Sequence, residues 1–141
     1  MAVTSESTTV WSGDLANGSG TTTLDSSGAG SFAVNWRARS EGAESVTTPE
    51  ELLGAAHAAC FSMAFSHELT SAGFTPDSIQ TTAAVTFDPA EGITGSHLLV
   101  SAQVPGIDEP EFQRIAESAK AGCPVSRALA GIPITLEASL A

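Results

Sequence analysis

The spacing of hydrophobic positions changes several times along the chain, and each change marks a predicted element. Residues 8–11, 21–24 and 31–36 are short runs separated by turns rich in Gly, Ser and Asp. In the third run Phe32, Val34 and Trp36 alternate with Ala33 and Asn35, the period of a strand with one buried face. Residues 40–46 are polar and predict a loop. A helix opens at Thr48-Pro49-Glu50-Glu51, with Thr48 as N-cap, Pro49 in the first helical position and Glu51 where a capping-box acid belongs. It extends to about Ala72 and stops at Gly73. Residues 54–64 are apolar almost all round, which predicts a helix buried centrally rather than lying on a surface.

Alternation then resumes. Ile79, Ala83, Val85 and Phe87 form one face of a strand, and Leu98, Val100, Ala102 and Val104 form that of its expected partner. Pro110 and Glu111 begin a second helix that Gly122 breaks. Cys123-Pro124 starts a short helix ending near Gly131, and Ile134, Leu136, Ala138 and Leu140 complete a last strand. Three strands, a helix, two strands, two short helices and a strand make an α+β fold, expected as one domain over residues 1–141.

Composition narrows the function classes. Sixteen acids against five bases give a formal charge of −11. That balance argues against a nucleic-acid partner and against an anionic membrane surface, both of which need a basic face. The first 14 residues lack the basic-then-apolar order of a secretory signal. The longest apolar stretch, residues 52–65, is interrupted by Gly54, His57 and Ser62, and is too short and polar to span a bilayer. A cytoplasmic location is expected, where two cysteines are free, metal-bound or redox-active sooner than a structural staple.

Cys60 lies deep in the apolar helix. A free cysteine there is most often a small hydrophobe, and burial raises its pKa unless a cation stabilises the thiolate. Cys123, by contrast, stands at the N-cap of a helix begun by Pro124, where backbone N–H groups favour a thiolate. The cations on offer are few: Arg37, Arg39, Arg114, Lys120 and Arg127. Arg37 and Arg39 follow the third strand and, by its two-residue period, are expected on one face. His57 and Cys60, three apart, are neighbours on a helix and admit a Cys–His nucleophile or half a zinc site. Neither finds its remaining partners, since His67, His97 and Cys123 are scattered along the chain.

Two long motifs carry a resemblance. Thr48-Pro49-Glu50-Glu51-Leu52-Leu53-Gly54-Ala55-Ala56-His57-Ala58-Ala59-Cys60-Phe61 and Ala121-Gly122-Cys123-Pro124-Val125-Ser126 resemble the paired cysteine motifs of the OsmC/Ohr hydroperoxide reductases. Trp11-Ser12-Gly13-Asp14, residues 72–76 and Val104-Pro105-Gly106-Ile107 look like the OsmC branch. Thr48 stands where asparagine is commoner. The resemblance implies antiparallel sheets wrapped around a central buried helix in an intertwined homodimer.

It also implies site roles. Cys60 matches the peroxide-attacking cysteine, Cys123 the resolving one, and Glu50 the motif glutamate. Arg39 matches the arginine, with Arg37 as the competing assignment. The implied activity is reduction of organic hydroperoxides, and less well hydrogen peroxide, in oxidative or osmotic stress defence. It passes through a Cys60 sulfenic acid and a Cys60–Cys123 disulfide, regenerated by an external dithiol, lipoyl compounds among the candidates. No metal or other cofactor is implied. The rival is a non-catalytic OsmC-like stress or binding protein. Ala56, Ala59, Phe61 and Met63 are expected to give the site an apolar lining that favours alkyl and aryl peroxides. Glu50 and Cys60 lie ten residues apart, about 15 Å along a straight helix, so either the helix start folds back or a second subunit contributes.

Overall fold

The computed structural model describes residues 1–141 as two compact units, Met1–Leu52 and Leu53–Ala141. In the first, β1 (Ser7–Ser12), β2 (Ser19–Leu24) and β3 (Ser31–Val34) form an antiparallel meander in that order. The predicted third strand is too long by two residues. Asn35 keeps an extended backbone, and its side chain accepts a hydrogen bond from the Ala38 N–H at 2.8 Å, capping α1 (Trp36–Glu41). The expected loop over residues 40–46 therefore begins with the last helical turn. Gly42 ends it at φ 85°, a conformation that suits glycine. The expected buried face is also only partial, because Phe32 is exposed.

α2 (Pro49–Ser71) starts and stops as its residues predict. The Thr48 hydroxyl accepts from the Glu51 N–H at 3.0 Å. The Glu51 carboxylate takes the Thr47 hydroxyl, so half of a capping box is present. Gly73, at φ 94°, closes the helix, and the Phe74 N–H bonds back to the Leu69 carbonyl at 2.9 Å.

In the second unit β4 (Ser78–Asp88), β5 (Gly92–Gln103) and β6 (Ile134–Leu140) form a sheet with β5 central. β4 and β5 pair antiparallel, with Ala83 opposite Leu98 and Ile79 opposite Ala102. β6 is parallel to β5, so this sheet is mixed and not antiparallel throughout as expected. The intervening α3 (Glu109–Gly122) and α4 (Pro124–Ala128) form a crossover that returns the chain in the same direction. The core joins Phe61, Phe65 and Leu69 of α2 to Leu98, Val100 and Ala102 of β5 and Phe112, Ile115, Ala116 and Ala119 of α3. The four-residue spacing continues back to His57, also fully buried. Burial is confined to this stripe of α2. Ala55, Ala56, Ala59 and Met63, on its other side, are exposed in the single chain, Met63 by 72%.

Candidate active site

Two pairs of side chains stand where chemistry is expected, one in each unit. Arg37 and Arg39 are on a helix, not a strand, so two residues turn them about 200° apart and they cannot share a face as expected. Arg37 is 80% exposed and meets only Glu41, at 3.4 Å. Arg39 turns inward, to 31% exposure, and both Nε and Nη2 reach Glu50 Oε1 at 2.8 Å. Glu50 is buried. A buried carboxylate requires a charged, hydrogen-bonding partner, and Arg39 meets that need.

Beside Arg39 lies a pocket of about 310 Å³. Thr9, Trp11, Leu15, Thr22, Val34, Asn35, Trp36, Pro49 and Leu52 line it, and Arg39 is its one charged wall.

The second pair is Cys60 on α2 and Cys123 at the junction of α3 and α4, both free thiols within mutual hydrogen-bonding reach. Cys123 is fully buried. As predicted it is the N-cap residue of α4 with Pro124 following, though α4 ends at Ala128, short of Gly131. Burial pushes the Cys60 thiol up, and the bond to Cys123 adds to that, against a smaller pull from the Val125 amide. Burial also pushes Cys123 up, but the Cys60 side chain, the Ser126 amide and hydroxyl and the Val125 amide outweigh it and bring the thiol down. In the chain by itself Cys123 is therefore the more acidic of the two thiols. A nucleophilic Cys60 needs a cation beside it, as the apolar setting implies.

The expected apolar lining is only partly available. Phe61 is fully buried in the core, its ring 5.5 Å from that of Phe65. Met63 borders an open groove with Ser66, His67 and Pro76. α2 is unbroken from Pro49 to Ser71, so its start does not fold back.

His57 is not a partner of Cys60. Its Nδ1 bonds Ser96 Oγ at 2.7 Å and its Nε2 bonds Ser126 Oγ at 2.8 Å, so neither nitrogen is left for a metal or for a thiol. Burial lowers its pKa and keeps the ring neutral at pH 7. The roles of Ser96 and Ser126 were missed in the sequence. The available signals were a polar residue in the inward phase of β5, and a serine three residues after a capping cysteine.

Comparison with known proteins decides the family. Residues 42–137 match the OsmC family model, described as OsmC-like protein. The chain belongs to the OsmC family. It is 48% identical over 133 residues, 92% of each chain, to "Peroxiredoxin OsmC" of Escherichia coli strain K12. An organic hydroperoxide resistance protein from Elizabethkingia anophelis aligns over 100% of this chain and 99% of its own, with TM-score 0.74 and 27% identity. OhrB of Bacillus subtilis shares the fold at TM-score 0.70 and 24% identity, over 97% and 98% of the two chains. This OsmC-family chain is a peroxidase-type enzyme of α+β fold. No helix in it is long and apolar enough to cross a membrane.

Proposed function

We propose that the protein reduces organic hydroperoxides to alcohols through Cys60 and Cys123, with electrons from an external dithiol. The observation that carries this reading is the approach of two free thiols across the α2–α4 junction, one on each of the two long motifs. The Cys60 thiolate attacks one peroxide oxygen, the O–O bond breaks, and an alkoxide leaves and takes a proton. Cys60 is oxidised to a sulfenic acid. The Cys123 sulfur attacks it, water leaves, and a disulfide joins the two residues. A dithiol, of lipoyl type or similar, restores both thiols by exchange.

The cation is Arg39, oriented by Glu50. Ten residues of unbroken helix separate Glu50 from Cys60, and the exposed apolar side of α2 needs a cover, so a homodimer meets both needs. In it the Arg39–Glu50 pair of one copy serves Cys60 of the other. The pocket at Arg39 supports an organic substrate, since Trp11, Leu15, Val34, Trp36 and Leu52 offer carbon to bury beside the charge. Burying a four-carbon group is worth roughly 2–3 kcal/mol, or about a hundredfold in rate constant if it persists in the transition state. Hydrogen peroxide gains none of this.

The experiment is to add cumene hydroperoxide to reduced protein and count thiols. Loss of two per chain, with a Cys60–Cys123 disulfide found on mapping, is expected. A stress or binding protein with idle cysteines would keep both thiols, and that outcome ends the peroxidase reading. The substrate comparison is kcat/KM for cumene or tert-butyl hydroperoxide against hydrogen peroxide, where equal values would remove the apolar selection.

A further inference from the structure

The peroxidase reading leaves one buried titratable group without a task. His57 is fully buried one helical turn before Cys60, and both ring nitrogens are bonded to serine hydroxyls that are themselves buried, Ser96 on β5 and Ser126 on α4. Ser126 is the third residue of α4 and Cys123 its N-cap, so both stand in the first turn of that helix, where the Ser126 hydroxyl hydrogen-bonds the Cys123 sulfur. Ser96, His57, Ser126 and Cys123 thus form one hydrogen-bonded row linking β5, α2 and α4.

We infer that His57 is a positioning residue that, as its Nε2–H tautomer, holds the Ser126 hydroxyl as a donor to the Cys123 sulfur, so that Cys123 supplies the thiolate for the resolving step. The direction of each bond follows from counting donors. A neutral imidazole has one N–H and one lone pair. If Ser126 is to donate to sulfur, its oxygen must accept from His57, so Nε2 carries the hydrogen. Nδ1 then accepts from the Ser96 hydroxyl. The opposite tautomer would draw the Ser126 hydrogen toward Nε2 and leave the sulfur without that donor.

The inference rests on the reading of Cys123 as the resolving cysteine and divides the labour within it. Arg39 serves the attack on peroxide, and the serine–histidine row serves the attack on sulfenic acid. Few other charges bear on Cys123. Cys60 is its thiol neighbour, and Glu68 of α2 lies against Gly122, within 3.5 Å of where a side chain there would begin. Lys120 of α3 is held by Glu117, Arg127 of α4 is exposed, and His97 of β5 is taken up by Glu137 and Thr135.

The test uses full-length Cys60→Ser protein, whose single thiol is Cys123, and needs no peroxide. Thiolate absorbance against pH should show Ser126→Ala leaving about tenfold less thiolate at a given pH, and His57→Phe reproducing most of that loss. Nitrogen NMR of labelled histidine in the parent protein, above the Cys123 pKa, should show Nε2 protonated. An Nδ1–H tautomer, or titrations unchanged in both variants, overturns the inference. The tautomer decides the matter even where His57→Phe does not fold. Thiol loss on adding hydroperoxide to wild type is scored separately, so either idea can fail without the other.

Discussion

At the scale of single residues, the structure separates side chains that look equivalent in the sequence. Arg37 and Arg39 become distinct once they lie on a helix, where one faces solvent and the other Glu50. Arg39→Lys keeps the charge but loses the planar group whose two nitrogens converge on Glu50. We expect a fall of about tenfold or more in kcat/KM, with Arg37→Lys near wild type. The reverse ranking would move the role to Arg37. The cysteines separate in the same way. Cys60→Ser should abolish peroxide reduction, whereas Cys123→Ser should react once and stall as a sulfenic acid that a sulfenate-reactive probe captures. Steady dithiol-driven turnover by Cys123→Ser, with Cys60 dispensable, would exchange the roles. His57 adds a pH dependence. Its pKa is lowered in the folded state by burial, so the unfolded chain binds more protons below its ordinary value of about 6.5. Its contribution is therefore present above pH 6.5 and lost as the pH falls toward the folded-state pKa. Melting temperature should drop across that window, and a drop no smaller in His57→Phe would show that another group is responsible.

At the scale of elements, legibility followed how local the deciding interaction is. α2 could be read because Thr48, Pro49 and Gly73 act on their own neighbours, and β4 and β5 because alternation reports a two-faced strand. α1 was hidden because the alternation through Trp36 continues the strand pattern, while the Asn35 cap bond that ends it spans only three residues. The parallel pairing of β5 with β6 was beyond reach, since it depends on how a two-helix crossover packs. So was the pairing of His57 with Ser96 and Ser126, at separations of 39 and 69 residues. Both cysteines, their motifs and the direction of each thiol's pKa were legible, because burial of Cys60 and the N-cap place of Cys123 are local properties, whereas the bond between the two thiols was not. Two substitutions test the elements. Thr48→Ala removes the cap bond to Glu51 and should cost about 1 kcal/mol in denaturant unfolding. Gly54→Ala improves helix propensity, yet a Cβ there would lie 2.9 Å from the Ala83 carbonyl oxygen. Backbone cannot yield as a side chain can, so a net loss of about 1–3 kcal/mol is expected. A gain in stability would show that α2 and β4 can part at no cost.

At the scale of the whole molecule, the unusual feature is a helix with two apolar sides and core on only one. Phe61, Phe65 and Leu69 fill the chain's own interior, while Ala55, Ala56, Ala59 and Met63 face outward. Small side chains allow close approach of a second helix, and Met63 brings enough apolar surface to be worth burying there. In the proposed homodimer the same contact brings Arg39 and Glu50 of one copy to Cys60 of the other, so assembly and thiol chemistry should fail together. Met63→Glu tests this, because a carboxylate in a closed apolar interface has no partner and should drive the chain toward monomer. Sedimentation should show the shift. Peroxidase activity should fall with the dimer fraction, and the Cys60 thiol should remain at the raised pKa that burial and Cys123 give it in the single chain. Raising protein concentration should restore dimer, activity and a lowered Cys60 pKa in step. A Met63→Glu monomer with wild-type kcat/KM would show that one chain holds the whole site, and the cation at Cys60 would then have to come from within it.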